Sequence, residues 1–167
     1  MHEKSIELLN RAVAEELAAV HQYMYFHFRC DDLGLDPLSG LFRRVAIEEM
    51  IHAERLAERI LFLKGEVEMK PAAEVQKIHE PERMLELARQ MEEQSARHYN
   101  LWANECSANA DSVSKSLFES LVGDEERHFD LYDTELENLK LYGPQYLALQ
   151  SIERIKGGGT APQGAQG

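Results

Sequence analysis

The 167-residue chain is long enough for one domain with a substantial core and short of two comfortable ones. Its 44% apolar and 29% charged residues exclude a disordered polyelectrolyte, and no apolar run approaches the roughly 18 residues of a membrane span. A net charge of −12 argues against a nucleic-acid partner, which needs clustered Lys and Arg, and two cysteines make neither a disulfide framework nor a cysteine zinc site.

Residues 3–33 contain neither Gly nor Pro, and Ile6, Leu9, Val13, Leu17, Val20, Met24 and Phe28 recur at three- and four-residue steps, predicting one long amphipathic helix. Gly34-Leu35-Asp36-Pro37 breaks it, and Ser39 is the expected N-cap of a second helix that carries Leu41, Val45, Leu56, Ile60 and Leu63 inward and stops at Gly65. Residues 65–81 hold Gly65, Pro71 and Pro81 without sustained periodicity. That is longer than ordinary helix-to-helix loops, so the segment is expected to cross the length of a bundle. A third helix is predicted from about Glu82, with Met84, Ala88, Met91, Tyr99 and Trp102 on one face. Asn109-Ala110-Asp111-Ser112 reads as a tight turn whose Asp111 or Ser112 caps a fourth helix using Val113, Leu117, Leu121, Tyr132, Leu136 and Leu139. Gly143-Pro144 ends it, a short fifth helix runs from Gln145 to about Lys156, and a disordered Gly-rich tail is expected over 157–167. The sum is an all-α four-helix bundle with one long crossover and a short fifth C-terminal helix, residues 1–156 forming one domain. No signal-like apolar segment follows Met1-His2-Glu3-Lys4, so a cytoplasmic protein is expected.

Acids stand on the apolar stripes. Glu16 lies between Val13 and Val20, Glu49 and His52 between Val45 and Leu56, Glu92 between Ala88 and Tyr99, and Glu125 and His128 between Leu121 and Tyr132. Glu16 precedes Glu49 by 33 residues, and Glu92 precedes Glu125 by the same 33. Adding 76 carries Glu16 to Glu92, Tyr23 to Tyr99, Glu49 to Glu125 and His52 to His128. Four ionised carboxylates in a core with no inward Lys or Arg beside them are untenable alone, whereas two divalent metals neutralise them. Six O/N ligands over two ions suit iron or manganese better than zinc.

These residues resemble the bacterioferritins of the ferritin-like di-iron superfamily, in which two helices each give a Glu and two give Glu-x-x-His. The likeness rests on Ala-Glu-Glu-Leu-Ala-Ala-Val-His-Gln-Tyr (14–23), Glu-Glu-Met-Ile-His-Ala-Glu-Arg (48–55), Glu-Arg-Ile-Leu-Phe-Leu-Lys-Gly (58–65), Ala-Asp-Ser-Val (110–113) and Asp-Glu-Glu-Arg-His (124–128), and spans about 4–156. It implies iron storage in a shell of twenty-four copies built from twofold dimers, with a ferroxidase centre that oxidises Fe(II) by O2 or H2O2. Glu16 and Glu92 would be terminal ligands to two iron ions per subunit, Glu49 and Glu125 would bridge, His52 and His128 would each cap one iron, and Tyr23 would sit beside a ligand carboxylate. Met50 matches the methionine that, with its twofold copy, ligates one b-type haem per dimer, and a small ferredoxin is the implied partner in iron release. Arg44 stands where relatives place a cavity-facing His, and Arg43 where the family has a tyrosine near the haem. His21, His27, His79 and His98 are expected at surfaces or interfaces. Two other readings share the ligand chemistry: a di-metal redox enzyme such as a rubrerythrin-like peroxidase or manganese catalase, and a twelve-subunit DNA-protecting miniferritin. The first usually adds a Cys-x-x-Cys iron domain that this chain lacks. The second places its ligands across a subunit interface, whereas here one chain carries the full set.

Overall fold

A computed structural model describes residues 2–158. Five helices, α1 (Glu3–Asp32), α2 (Asp36–Phe62), α3 (Pro81–Ala108), α4 (Ser112–Tyr142) and α5 (Pro144–Gly158), account for its regular structure, and no strand occurs among the described residues. Two antiparallel hairpins, α1–α2 and α3–α4, are joined by the crossover at 63–80. The crossover runs alongside α1 from one end to the other. Asn10 brackets it by donating to the Glu66 carbonyl (2.9 Å) and accepting from the Glu68 amide (2.8 Å). Ala72 N–H donates to the Ala14 carbonyl, and Gln22 repeats the two-way amide pairing with Gln76. These side chains satisfy backbone groups that a loop of this length would otherwise leave to water.

The sequence placed the breaks well and some details differently. Helix α2 begins at Asp36 with Leu35 as its N-cap, and Pro37 sits in the first turn, where its missing N–H is no loss. Ser39 is therefore inside the helix; its hydroxyl bonds the His27 carbonyl and ring. At the end of α2 the left-handed residue is Lys64 (φ 65°), while Gly65 is needed for space, since a Cβ there would lie 2.7 Å from Ile6 Cγ2. Phe28 and Val113, expected inward, are 60% and 61% exposed. The inward seam of α1 is Leu9, Glu16, Tyr23 and Cys30, a seven-residue repeat, so the row ending at Phe28 drifts outward along the helix. Val113 lies in the first turn of α4, beyond the packed core. Helix α5 continues through Gly157 and Gly158, and the rest of the expected tail lies outside the described residues.

The core divides into two apolar clusters. One gathers Tyr23, Phe26, Cys30, Phe42, Met84 and Tyr132; the other gathers Leu8, Leu9, Leu56, Tyr99, Cys106 and Phe118. In all four long helices the acids and imidazoles of the 76-residue pattern fall between the stretches that feed these clusters.

Candidate metal centre

All six residues singled out as ligands are buried at 0–3% exposure, a polar layer sealed by apolar packing above and below. They form two overlapping groups whose ligand atoms lie within 4.8 Å of one another: Glu16, Glu49, His52 and Glu125, and Glu49, Glu92, Glu125 and His128. Glu49 and Glu125 belong to both groups, and each remaining residue to one. The layer thus has two adjacent pockets of negative oxygen with two carboxylates shared between them.

The imidazoles are held from outside. His52 Nε2 meets Asp124 Oδ2 at 3.0 Å and His128 Nε2 meets Glu48 Oε2 at 2.6 Å. A carboxylate accepts from Nε2–H, which turns each Nδ1 toward the layer. His52 Nδ1 lies 2.9 Å from Glu49 Oε2 and 2.9 Å from Glu125 Oε1; His128 Nδ1 lies 3.3 Å from Glu49 Oε1 and 3.5 Å from Glu92 Oε2. Two tyrosines hold the unshared carboxylates: Tyr23 donates to Glu92 Oε1 at 2.6 Å and Tyr99 to Glu16 Oε1 at 2.5 Å. Each hairpin's tyrosine serves the other hairpin's glutamate, and each histidine's outer partner also comes from the opposite hairpin.

Burial, with Glu16 and Glu92 close by, pushes the Glu49 carboxyl well above the usual range, and burial with its neighbouring carboxylates does the same to Glu125. For Glu92 burial also pushes upward, but His128 and the Glu125 and Glu49 carboxyls packed against it outweigh that and hold the group low. Burial lowers His52, yet the Glu125 and Glu16 carboxylates beside it carry it up to about 10; His128 rises for the same reason through Glu92 and Glu48. Even so, Glu49 Oε2, His52 Nδ1, Glu92 Oε2 and Glu125 Oε1 are buried with no hydrogen-bond partner. Unpaired buried donors and acceptors converging on one layer fit cation coordination, which would satisfy them together.

The spacing argument brought together Glu16, Tyr23, Glu49, His52, Glu92, Glu125 and His128. Met50 points elsewhere: it is 53% exposed on the outer side of α2. Of the remaining histidines, His98 is half-buried, bonded to Glu15 and stacked on Trp102, and His27 is tied to Ser39. Sequence reasoning missed Glu48 and Asp124 as the outer partners of the imidazoles, although the same shift of 76 relates them. Tyr99, placed on the face by that shift, acts on Glu16 as Tyr23 acts on Glu92.

Residues 6–142 match the family model described as the ferritin-like domain. The chain is 37% identical over 147 residues to the bacterioferritin of Rhodobacter capsulatus, covering 87% of this chain and 91% of that one. It is 34% identical over 145 residues to the bacterioferritin of Desulfovibrio desulfuricans, covering 87% and 81%. An X-ray structure of the latter, described as showing its diiron site in different catalytic states, superposes with a TM-score of 0.87 at 34% identity over 89% of this chain and 86% of that chain.

Proposed function

The chain belongs to the ferritin-like family, among its bacterioferritins, and from that premise we propose that it stores iron and detoxifies Fe(II) as a ferroxidase. The observation that carries the reading is the pair of overlapping carboxylate–histidine groups with shared Glu49 and Glu125. Four carboxylates match the charge of two divalent ions with nothing left over, and six O/N donors suit iron. When iron is bound, the centre supplies electron transfer from Fe(II) to O2 or H2O2, and the ferric product is stored as mineral.

The chain's part is to hold and orient. Glu49 and Glu125 would be shared by the two metal positions; Glu16 with His52, and Glu92 with His128, would each complete one of them. Asp124 and Glu48 fix the imidazole tautomer, so that Nδ1 is the ligand atom. Tyr99 and Tyr23 pin the terminal carboxylates by charge-assisted hydrogen bonds. Protons held on Glu49 and Glu125 leave as metal arrives. The working unit is residues 1–156, in the cytoplasm, assembled as twenty-four copies from twofold dimers, with 157–167 as a Gly-rich extension. No described helix is long and apolar enough to cross a membrane. The exposed thioether of Met50 is free to ligate haem iron together with a second copy, and haem held so suits electron delivery from a small ferredoxin during iron release.

The test loads purified protein with Fe(II) anaerobically and then admits air. Broad ferric absorbance growing to many irons per chain, and lost in Glu49→Ala and Glu125→Ala, is expected. Saturation at two irons per chain without mineral would defeat storage and leave a di-metal redox enzyme. Size-exclusion chromatography of a 19.1 kDa chain should give about 460 kDa for the full shell. A Soret band lost in Met50→Leu is the expected sign of haem.

A further inference from the structure

Behind the two imidazoles the repeat of the chain breaks. The outer partners Glu48 and Asp124 are related by the shift of 76, but Glu48 is a methylene longer, and the residue three places on is Ile51 in the first hairpin and Arg127 in the second. Both carboxylates are 36% exposed, so packing restrains neither strongly. Asp124 holds His52 with a short side chain, its Oδ2 standing 3.0 Å from Nε2. Glu48 has one more torsion and more places in water for its carboxylate to go. A histidine whose outer partner swings away is free to turn.

Arg127 removes that freedom. Its Nη2 donates to Glu48 Oε2, the same oxygen that meets His128 Nε2 at 2.6 Å. The guanidinium therefore fixes the one atom that orients the imidazole. Arg127 precedes His128 on α4, so ligand and clamp ride on one turn of helix while the carboxylate between them comes from α2. Asp124 Oδ1 lies 3.8 Å from the same Nη2, beyond hydrogen-bond range, and the hold on the His52 side is correspondingly weak. Arg55, anchored on Ser120 Oγ at 2.7 Å, also stands 3.8 Å from Asp124. An ion pair between a 51% exposed arginine and a 36% exposed glutamate adds little to folding stability, which leaves its local effect on the imidazole.

We propose that Arg127 is a positioning residue of the centre: by bonding Glu48 Oε2 it holds the His128 imidazole in the orientation of a ligand, and it serves the His128 position far more than the His52 position. The inference rests on the two-metal reading of the layer. It carries a sign that charge alone does not. A guanidinium beside a cation site repels the cation, so on charge alone the loss of Arg127 strengthens metal binding. If Arg127 orients a ligand, its loss weakens metal binding.

Co(II) is the probe, titrated into metal-free full-length protein and followed by its visible absorbance. Arg127→Met keeps the bulk of the stem and loses the donors; it should bind two Co(II) per chain about tenfold more weakly, with an unchanged urea midpoint. Arg127→Lys keeps a charged donor and should recover most of the loss. In a Glu48→Ala background Arg127→Met should have no further effect, because the arginine acts through that carboxylate. With Glu16→Ala leaving the His128 position, Arg127→Met should cost the full tenfold or so, and with Glu92→Ala leaving the His52 position, about twofold or less. Unchanged or tighter Co(II) binding in Arg127→Met overturns the proposal and leaves the two-metal reading intact. So does a loss that lysine does not reduce, that persists in Glu48→Ala, or that falls equally on the two positions. A parent that binds no pair of Co(II) ions removes the reading and the proposal together.

Discussion

The two hairpins of this chain are copies in their polar interior and at a few positions packed around it, and differ over most of the rest. Shifted by 76, Leu9, Ala12, Glu16, Tyr23, Cys30, Phe42, Glu49 and His52 fall on Leu85, Ala88, Glu92, Tyr99, Cys106, Phe118, Glu125 and His128. Even the turns agree: Leu35 N–H bonds the Cys30 carbonyl at 2.9 Å, and Asp111 N–H bonds the Cys106 carbonyl at 2.9 Å. Among the differences are Leu56 against Tyr132, Phe26 against Trp102, Gln22 against His98, Gly34 against Ala110, Leu35 against Asp111 and Ile51 against Arg127. What repeats is what two adjacent cations require of their ligands and of the side chains wedged directly against them. What varies includes turns, outer faces and apolar core contacts such as Leu8 against Met84 and Ile60 against Leu136, where several residues meet the same need.

The strongest way to break the comparison is to remove ligands that the two positions share and ligands that they do not. Glu49→Ala or Glu125→Ala takes an oxygen from both groups and should abolish paired metal binding, with ferroxidation falling to background. Glu16→Ala or Glu92→Ala touches one group each and should leave one Co(II) per chain by optical titration. Equal loss from all four changes would mean that the two positions do not fill independently.

The next largest effect separates the turns. Asp111 caps α4 by accepting from Ser114 N–H at 3.1 Å and also receives Arg59 Nη2 at 2.7 Å, whereas Leu35 offers α2 no side-chain cap. Burial pushes the Asp111 carboxyl up, but its bonds from Ser114, Ser5 and Arg59 prevail and bring it down to about 2. A carboxyl lowered from 3.8 stabilises the folded chain above pH 3.8, and that contribution, about 2 kcal/mol, drains away as pH falls through 2. Asp111→Ala leaves Arg59 unpaired and the helix uncapped, and should cost about 3 kcal/mol at pH 7 by denaturant unfolding, with the acid-dependent part gone. The same change at Leu35 has no such bond to lose.

Much of this was legible in the sequence because the signals were strong and local. Uninterrupted three- and four-residue periodicity, Gly and Pro at the breaks and acids on an apolar stripe define the helices and the candidate ligands without tertiary information. Phe28 was misplaced because a row of apolar residues and the true seven-residue seam diverge slowly, and Val113 because it stands in the first turn of α4; only the packed partners decide at either place. Ser39 resembled an N-cap, yet the helix had already begun, since proline is welcome in a first turn. Glu48, Asp124 and Arg127 carry no mark in one dimension: exposed charges on α2 and α4 are common, and only the meeting of the hairpins turns these three into the backing of two imidazoles.

The smallest effect is the sharpest test of how alike the turns are. Gly34 and Ala110 are equivalent under the shift of 76, and both take left-handed backbone, at φ 76° and φ 57°. For alanine that conformation is strained by about 1 kcal/mol, a strain that glycine does not carry. Ala110→Gly should therefore stabilise the chain by about 0.5–1 kcal/mol, against the usual direction of alanine-to-glycine changes. Gly34→Ala should destabilise it by about 1 kcal/mol or slightly more, because the added Cβ also comes within 3.3 Å of the Arg154 guanidinium. Opposite signs at the two positions in urea unfolding would establish that the turns share one geometry and differ only in the residue that bears it. A destabilising Ala110→Gly would show that the alanine side chain contributes packing that its glycine counterpart lacks.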